Sequence, residues 1–210
     1  ITEDSMRAIA LENKEVDFAR INSNNLHRFY DEAKGESLPG YNVWMGSTGY
    51  MYHLIMCNMD PNGPSVLAHD VNLRKAALYA LSTEDIMLAS GNTLETATAL
   101  RSFGVQGQGG YQDKWLEDDW DYFNYSPEKA QEFLKAAGKN PGEVELTVLT
   151  SISLYSDSVR SVIIANLEEA GFKVNSLSVD QALFLNYRFE NDQWDLIMDV
   201  KGAGDYIVTG

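Results

Sequence analysis

Along the chain, apolar positions recur first at a helical interval and later, beyond residue 126, in a regular alternation of strand-like and helical stretches. Thr2–Asn13 sets Met6, Ile9 and Ala10 on one face, with Thr2 placed as an N-cap and acids in the first turn, which predicts a helix. Val16–Ile21 reads as a short strand. Asn24–Lys34 returns to helical spacing through Leu26, Phe29, Tyr30 and Ala33, with Gly35 as its stop. From Tyr41 to Met59 aromatic residues, Val, Ile and Met predominate, and Gly46-Ser47-Thr48-Gly49 interrupts them; two strands joined through a glycine-flexible turn or crossing are expected. Asp60-Pro61-Asn62-Gly63-Pro64 is too rich in Pro and Gly to continue a ladder and reads as a loop.

Asp70 caps a helix running through Leu81, and Thr83 starts another that Gly91 ends. Phe103–Tyr125 follows neither period: glycines give way to Tyr111, Trp115, Trp120, Tyr122 and Phe123 among acids, which predicts a long irregular loop packed through its aromatics. Ser126-Pro127-Glu128 is a helix start with Ser as cap and Pro at the first helical position, and Gly138 is its stop. Strand Val144–Thr150, helix Asp157–Ala170 closed by Gly171, strand Lys173–Val179, helix Gln181–Glu190 and strand Trp194–Val200 follow. Such alternation implies crossover connections and a largely parallel or mixed sheet with helices on its faces, so the fold class is α/β.

Composition narrows the function. The 210 residues are 44% hydrophobic, enough for a real core, and no apolar run approaches the roughly 20 residues that span a bilayer. A net charge of -15 argues against a nucleic-acid binder, which needs clustered Lys and Arg to displace counterions, and against an anionic membrane surface. The single cysteine, Cys57, lies in the apolar run Leu54-Ile55-Met56-Cys57 and is expected to be a buried small hydrophobe rather than a nucleophile. The chain opens on Ile1 and ends in a segment that begins like a loop, so it is expected to be a piece of a longer protein.

Several segments, in order, resemble one family. Asn13-Lys14-Glu15-Val16-Asp17-Phe18-Ala19 resembles a stretch of the form G-E-V-D-hydrophobic, with Lys14 where the family carries Gly. Asp70-Val71-Asn72-Leu73-Arg74-Lys75-Ala76-Ala77 resembles its D-V-R-V-R-x-A run, and Tyr125-Ser126-Pro127-Glu128-Lys129-Ala130 its Y-D-P-E-K-A. Leu167 to Val174 resembles L-x-x-x-G-I-x-V, and Trp194-Asp195-Leu196 with Asp205-Tyr206 resembles the late F-D-l … D-Y. The family is the bacterial extracellular solute-binding proteins, family 5, which serve ABC importers of oligopeptides, dipeptides and nickel. The resemblance implies a periplasmic-binding-protein-like lobe of type II, a mixed sheet flanked by helices. Residues 1–45 are then expected in the first lobe or on the hinge side, and 46–210 as the C-terminal ligand-binding lobe. It also implies a receptor that is not an enzyme, has no cofactor and acts as a monomer, binding a peptide or related small solute and delivering it to membrane permease subunits. The intact protein is expected at the extracellular face of the cytoplasmic membrane as a lipoprotein, or in the periplasm. A solute-sensing domain of a transcription regulator, or a sugar- or nickel-binding member of the family, is the alternative.

By the same resemblance Asp205, followed by Tyr206, stands where peptide-binding members pair an aspartate with the ligand's α-ammonium; a loop-capping aspartate is the other reading. Gly49, Tyr50, Met51 and Tyr52 begin the strand expected to line the cleft, where edge backbone can add a peptide as a strand. Trp115 and Tyr111 are candidates to pack on ligand side chains, or else to fill the loop's own small core. His27, His53 and His69 are too scattered for a metal site, and the acidic run Glu117-Asp118-Asp119 with Asp121 lacks the alternation and glycine of a calcium loop. Gly107–Gly110 has no Lys-Ser/Thr after it, and no Gly-x-Ser-x-Gly elbow occurs, so neither phosphate-loop nor serine-hydrolase chemistry is implied.

Overall fold

In the computed structural model, which describes residues 4–45, 51–92, 111, 124–190 and 192–202, most helices begin where a short polar side chain takes up amides of the first turn. The described residues fall into two compact units: 4–45 with Gly91 and Asn92, and 51–90 with 111, 124–190 and 192–202.

The smaller unit opens with helix α1, Asp4–Glu12. Lys14 follows at φ 59, with its N–H on Leu11 O (3.1 Å) and the Glu15 N–H on Ala10 O (2.9 Å); this left-handed turn ends the helix. The strand expected over Val16–Ile21 does not form. The segment is without regular structure and joins no sheet among the described residues, and strand propensity alone cannot supply a ladder partner. The helix expected over Asn24–Lys34 is also corrected. A single turn, α2 (Ser23–Leu26), is capped by Asn22 and gives way to a hairpin of β1 (Tyr30–Asp31) and β2 (Glu36–Ser37). Gly35, at φ 70, closes the hairpin turn and not a helix, with its N–H on Asp31 O at 2.8 Å. The Asp31 carboxylate accepts the Lys34 amide at 3.2 Å and pairs with its ammonium, which lowers its pKa. Phe29 is buried and meets Tyr41 edge-on at 4.9 Å. Gly91, at φ 80, lies so close to Asn24 that a Cβ there would sit 2.2 Å from its Oδ1.

Of the two strands expected over Tyr41–Met59, the described residues hold one, β3 (Met51–Cys57) in the larger unit; residues 41–45 carry no strand, and 46–50 lie outside the described residues. A short helix not anticipated, α3 (Val66–His69), precedes α4 (Val71–Ala80). Asp70 caps α4 through the amides of Asn72 (2.7 Å) and Leu73 (3.3 Å), and Arg74 Nη1 reaches back to Leu67 O (2.6 Å) at the end of α3. Then come α5 (Thr83–Ala89), α6 (Pro127–Ala136), β4 (Glu145–Ser151), α7 (Asp157–Glu169), β5 (Lys173–Val179), α8 (Gln181–Tyr187) and β6 (Leu196–Gly202), each within a few residues of its expected position. The aromatic loop expected over 103–125 lies outside the described residues apart from Tyr111, Asn124 and Tyr125.

The sheet order is β3-β6-β4-β5. Strands β4, β5 and β6 run parallel and β3 runs against β6, so the sheet is mixed. Alternation along β4 and β6 sorts the core: Leu146, Val148, Leu196 and Met198 pack with α4, α6 and α7, while Leu149 and Ile197 pack with Phe184 of α8 on the other face. Tyr79 and Phe133 stack at 5.5 Å between α4 and α6, with the Lys129 and Lys75 ammoniums over their rings at 5.3 and 5.2 Å. The buried Asn166 of α7 accepts the Ser82 amide at 3.0 Å, tying α7 to the cap of α5.

Candidate ligand-binding site

In open α/β sheets, ligands collect beyond the carboxyl ends of the parallel strands, where the chain leaves the sheet on diverging loops. Here that end carries Ser151 of β4, Val179 of β5 and Gly202 of β6. Because β3 is antiparallel to β6, Met51 pairs with Gly202 and Tyr52 with Lys201, so the first residues of β3 join this end. The register therefore sets Met51 and Tyr52, two of the residues singled out in the sequence, beside the last residues of β6. Gly49, Tyr50, Asp205, Tyr206 and Trp115 lie outside the described residues; Met51 and Tyr52 are placed by their backbone, and Tyr111 is half-buried. β3 is also an outermost strand of the sheet, so its second backbone edge faces no other strand of the described residues.

The turn after β4 supplies groups that the sequence reading missed. Ile152 is 53% exposed and Leu154 43%, an apolar pair at the sheet's carboxyl end with no core role. Ser151 Oγ donates to Gln181 Oε1 at 2.9 Å, joining the exit of β4 to the first turn of α8, and Thr150 and Ser178 hydroxyls meet at 2.9 Å between β4 and β5. Tyr155 is buried, its hydroxyl donates to Asp199 O at 3.1 Å, and burial together with the Asp199 charge raises its pKa. It stays a neutral donor. Asp199 is itself 3% exposed on β6, with the Arg188 guanidinium 2.8 Å from Oδ2 and the Val200 amide donating to Oδ1 at 2.8 Å. Arg188 is itself partly exposed, but removing it would leave the buried Asp199 charge without its counterion, so this ion pair ties the end of α8 to the middle of β6. The signal for it was a lone acid inside the apolar run Leu196-Ile197-Met198-Asp199-Val200.

The opposite end of the sheet holds a cleft of about 150 Å³ lined by Pro64, Ser65, Thr147, Gln193 and Asp195 among others. Its carboxylate is already engaged: Asp195 accepts from Ser65 Oγ (2.5 Å) and the Thr147 amide (2.8 Å), while Asn58 holds the neighbouring Trp194 carbonyl at 2.8 Å. Asp195 is a clamp between α3, β4 and β6. Cys57, partly buried on β3, has its thiol pushed up to about 11 by burial, which leaves it a poor nucleophile. His27 and His69 are exposed, and His69 Nε2 lies 2.9 Å from Gly63 O. The His53 side chain lies outside the described residues, as does the acidic run 117–121.

Solved structures place this arrangement among periplasmic binding proteins. The chain is similar to the ABC transporter-associated periplasmic binding protein DppA from Helicobacter pylori in complex with peptide STSA, at 20% identity and a TM-score of 0.70, covering 99% of this chain and 36% of that one. It is similar to NikA from Brucella suis in complex with Fe(III)-EDTA, at 18% identity and a TM-score of 0.70, covering 96% and 40%. A substrate binding protein from Microbacterium hydrocarbonoxydans complexed with 4-hydroxybenzoate hydrazide follows at 16% identity and a TM-score of 0.64, covering 95% and 36%. At such identities the likeness establishes the fold, a periplasmic-binding-protein-like α/β lobe, and the chain spans well under half the length of these relatives. No curated protein matches the sequence. Residues 1–207 match the bacterial extracellular solute-binding proteins, family 5 Middle, and the chain belongs to that family.

Proposed function

We propose that this chain is part of a two-lobed receptor that binds a peptide and delivers it to the permease of an ABC importer. Residues 46–210 form its C-terminal ligand-binding lobe, and residues 1–45 belong to the first lobe. The observation that supports the reading is the register of β3 on β6, in which Met51 faces Gly202, so that the start of β3 and the end of β6 lie side by side at the carboxyl end of β4, β5 and β6. Asp205 pairs with the ligand's α-ammonium, while Tyr206, Trp115 and Tyr111 pack on its side chains. The outer edge of β3 at Met51 and Tyr52, together with Gly49 and Tyr50 before it in the sequence, accepts peptide backbone as an added strand, which gives affinity with little side-chain selectivity. Ile152 and Leu154 extend the same end with apolar surface. Closure of the lobes excludes water, and a charge pair across the cleft strengthens as the local dielectric falls. The ligand of DppA, a peptide, supports this choice of solute.

Calorimetry on the longer parent protein with a short peptide tests the reading. Asp205→Asn is expected to weaken binding by roughly tenfold or more, the scale of a lost charge-assisted hydrogen bond, and N-acetylation of the peptide to have the same effect. Unchanged affinity in the Asp205→Asn protein, or tight stoichiometric binding by the 210-residue chain alone, would overturn it.

A further inference from the structure

Asn62 is the one asparagine of the chain that glycine follows, in the loop Asp60-Pro61-Asn62-Gly63-Pro64 between β3 and α3. An asparagine carboxamide is open to attack by the backbone nitrogen of the next residue, and glycine, with no Cβ, leaves that nitrogen uncrowded. The local structure adds to this. Asn62 is exposed in a tight turn, its own N–H donating to Asp60 Oδ1 at 2.9 Å and the Gly63 N–H to Asp60 O at 3.1 Å. Its carboxamide makes no hydrogen bond among the described residues, so it can rotate onto the Gly63 nitrogen. The two asparagines followed by serine are restrained instead. Asn22 Oδ1 caps α2, accepting from the Asn25 amide at 3.2 Å and Asn25 Nδ2 at 2.8 Å, and Asn175 Nδ2 donates to Thr147 Oγ1 at 3.3 Å across the β4–β5 ladder. Asn140 precedes Pro141, which has no N–H.

We propose that Asn62 is a site of spontaneous deamidation, by way of a cyclic imide closed onto Gly63. The Gly63 nitrogen, its proton lost to hydroxide or a buffer base, forms a bond to Asn62 Cγ, while the carboxamide nitrogen takes up a proton and leaves as ammonia. Water then opens the imide. Cleavage at the side-chain carbonyl gives aspartate at position 62, and cleavage at the backbone carbonyl gives isoaspartate, whose backbone runs through the former side chain. Either product adds a carboxylate to a turn that already holds Asp60, in a chain whose net charge is -15. The isoaspartate form also lengthens the backbone between Asp60 and Gly63, so it breaks the turn bond and moves Gly63 O away from His69 Nε2, 2.9 Å from it in the unmodified chain. Pro64 and Ser65, next in the sequence, line the cleft beside Asp195, at the end of the sheet opposite the proposed ligand site, so this chemistry is independent of that reading.

The test is incubation of the longer protein in mildly alkaline buffer, native and unfolded in guanidinium chloride. The peptides carrying residues 62 and 175 are followed by mass spectrometry, with chromatographic separation of the aspartate and isoaspartate forms. Comparing each residue with itself in the unfolded chain separates the effect of structure from that of the residue that follows. Residue 62 is expected to convert in the native protein within ~10-fold of its unfolded rate, because an exposed turn opens at little cost, and residue 175 to be slowed at least ~100-fold by its place in the ladder. Gly63→Pro removes the attacking N–H, so conversion at residue 62 should be lost even in the unfolded chain, where no fold is needed. A native protein that keeps Asn62 intact while the unfolded chain converts overturns the proposal, as does equal slowing of residues 62 and 175. Conversion that persists in the unfolded Gly63→Pro chain overturns the route through the Gly63 nitrogen.

Discussion

Lys14 shows how a single position can be explained by a departure from the family pattern. The resembling motif carries Gly there, and the structure holds Lys14 at φ 59, the left-handed conformation that costs an L-residue about 1 kcal/mol or more. Its side chain is exposed, so little packing is lost with it. Lys14→Gly should therefore stabilise the smaller unit by about 0.5–1 kcal/mol, the relief of strain exceeding the extra chain entropy of glycine. Urea unfolding checks it, and a destabilised variant would mean that the Lys14 side chain makes a contribution not visible in its exposure. Other motif residues also turn out to be structural. Asp70 caps a helix, Arg74 holds the carbonyls that end α3, Asp195 clamps Ser65 to Thr147, and the Tyr125 hydroxyl donates to Glu169 at 2.8 Å, its pKa pushed up to about 12 by burial and then by that carboxylate. These roles explain why the family was legible in the sequence while its ligand was not: the residues that repeat at fixed spacing hold the scaffold. Ile152 and Leu154 lie in the turn at the sheet's carboxyl end, and the Asp199–Arg188 pair at its middle joins α8 to a strand that follows it, so neither shows as a repeated pattern in the sequence.

At the scale of elements, the legible parts are those whose ends are set locally. Helices α1, α6 and α7 stop in the same way, with a left-handed residue at Lys14, Gly138 or Gly171 and the next amide bonded five residues back: Glu15 to Ala10, Lys139 to Leu134, Phe172 to Leu167. Gly35 offered the same local signal and closed a hairpin, because the deciding contacts, Leu38 N–H on Phe29 O at 2.8 Å and Tyr41 against Phe29, lie outside the window of a helix stop. Strands were legible in composition alone, and whether a strand-like stretch joins a ladder depends on a partner that its own residues do not specify. The two glycine stops of the larger unit should respond differently to a methyl group. At Gly138 (φ 73) a Cβ meets nothing within 4 Å, whereas at Gly171 (φ 105) it would lie 3.1 Å from Pro141 Cβ and 3.3 Å from Leu134 Cδ1. Gly138→Ala is expected to cost about 1 kcal/mol and Gly171→Ala about 2–3 kcal/mol, since the second adds a clash in the α6–β4 connection to a less accessible backbone conformation. Thermal unfolding of the two variants side by side gives the comparison, and equal losses would mean that Pro141 moves aside freely.

For the whole molecule, the contrast between the units governs stability. In the smaller unit the buried apolar residues among those described are Ala8, Ala10, Leu26 and Phe29, and only the last two are large. Burying each contributes about 1.5–3 kcal/mol, against a backbone ordering cost of about 1–2 kcal/mol for every residue fixed. The ion pair of Glu12 with Arg28 Nε at 2.8 Å is partly exposed and adds little to that balance. The larger unit instead has helices on both faces of a four-stranded sheet, with Leu67, Leu146, Leu149, Leu167, Leu196 and Ile197 almost wholly out of contact with solvent. Stability this uneven should separate on unfolding. In limited trypsinolysis of the 210-residue chain, cleavage after the exposed Arg20 and Lys34 is expected well before cleavage after Arg160 or Lys173, and urea should produce an early transition in the smaller unit followed by a main one. Lys14→Gly should move only the early transition and Gly171→Ala only the main one, because each acts within one unit. A single transition shifted by both substitutions would show that the two units fold as one cooperative body, and the smaller unit would then owe its order to the larger rather than to its own four buried side chains.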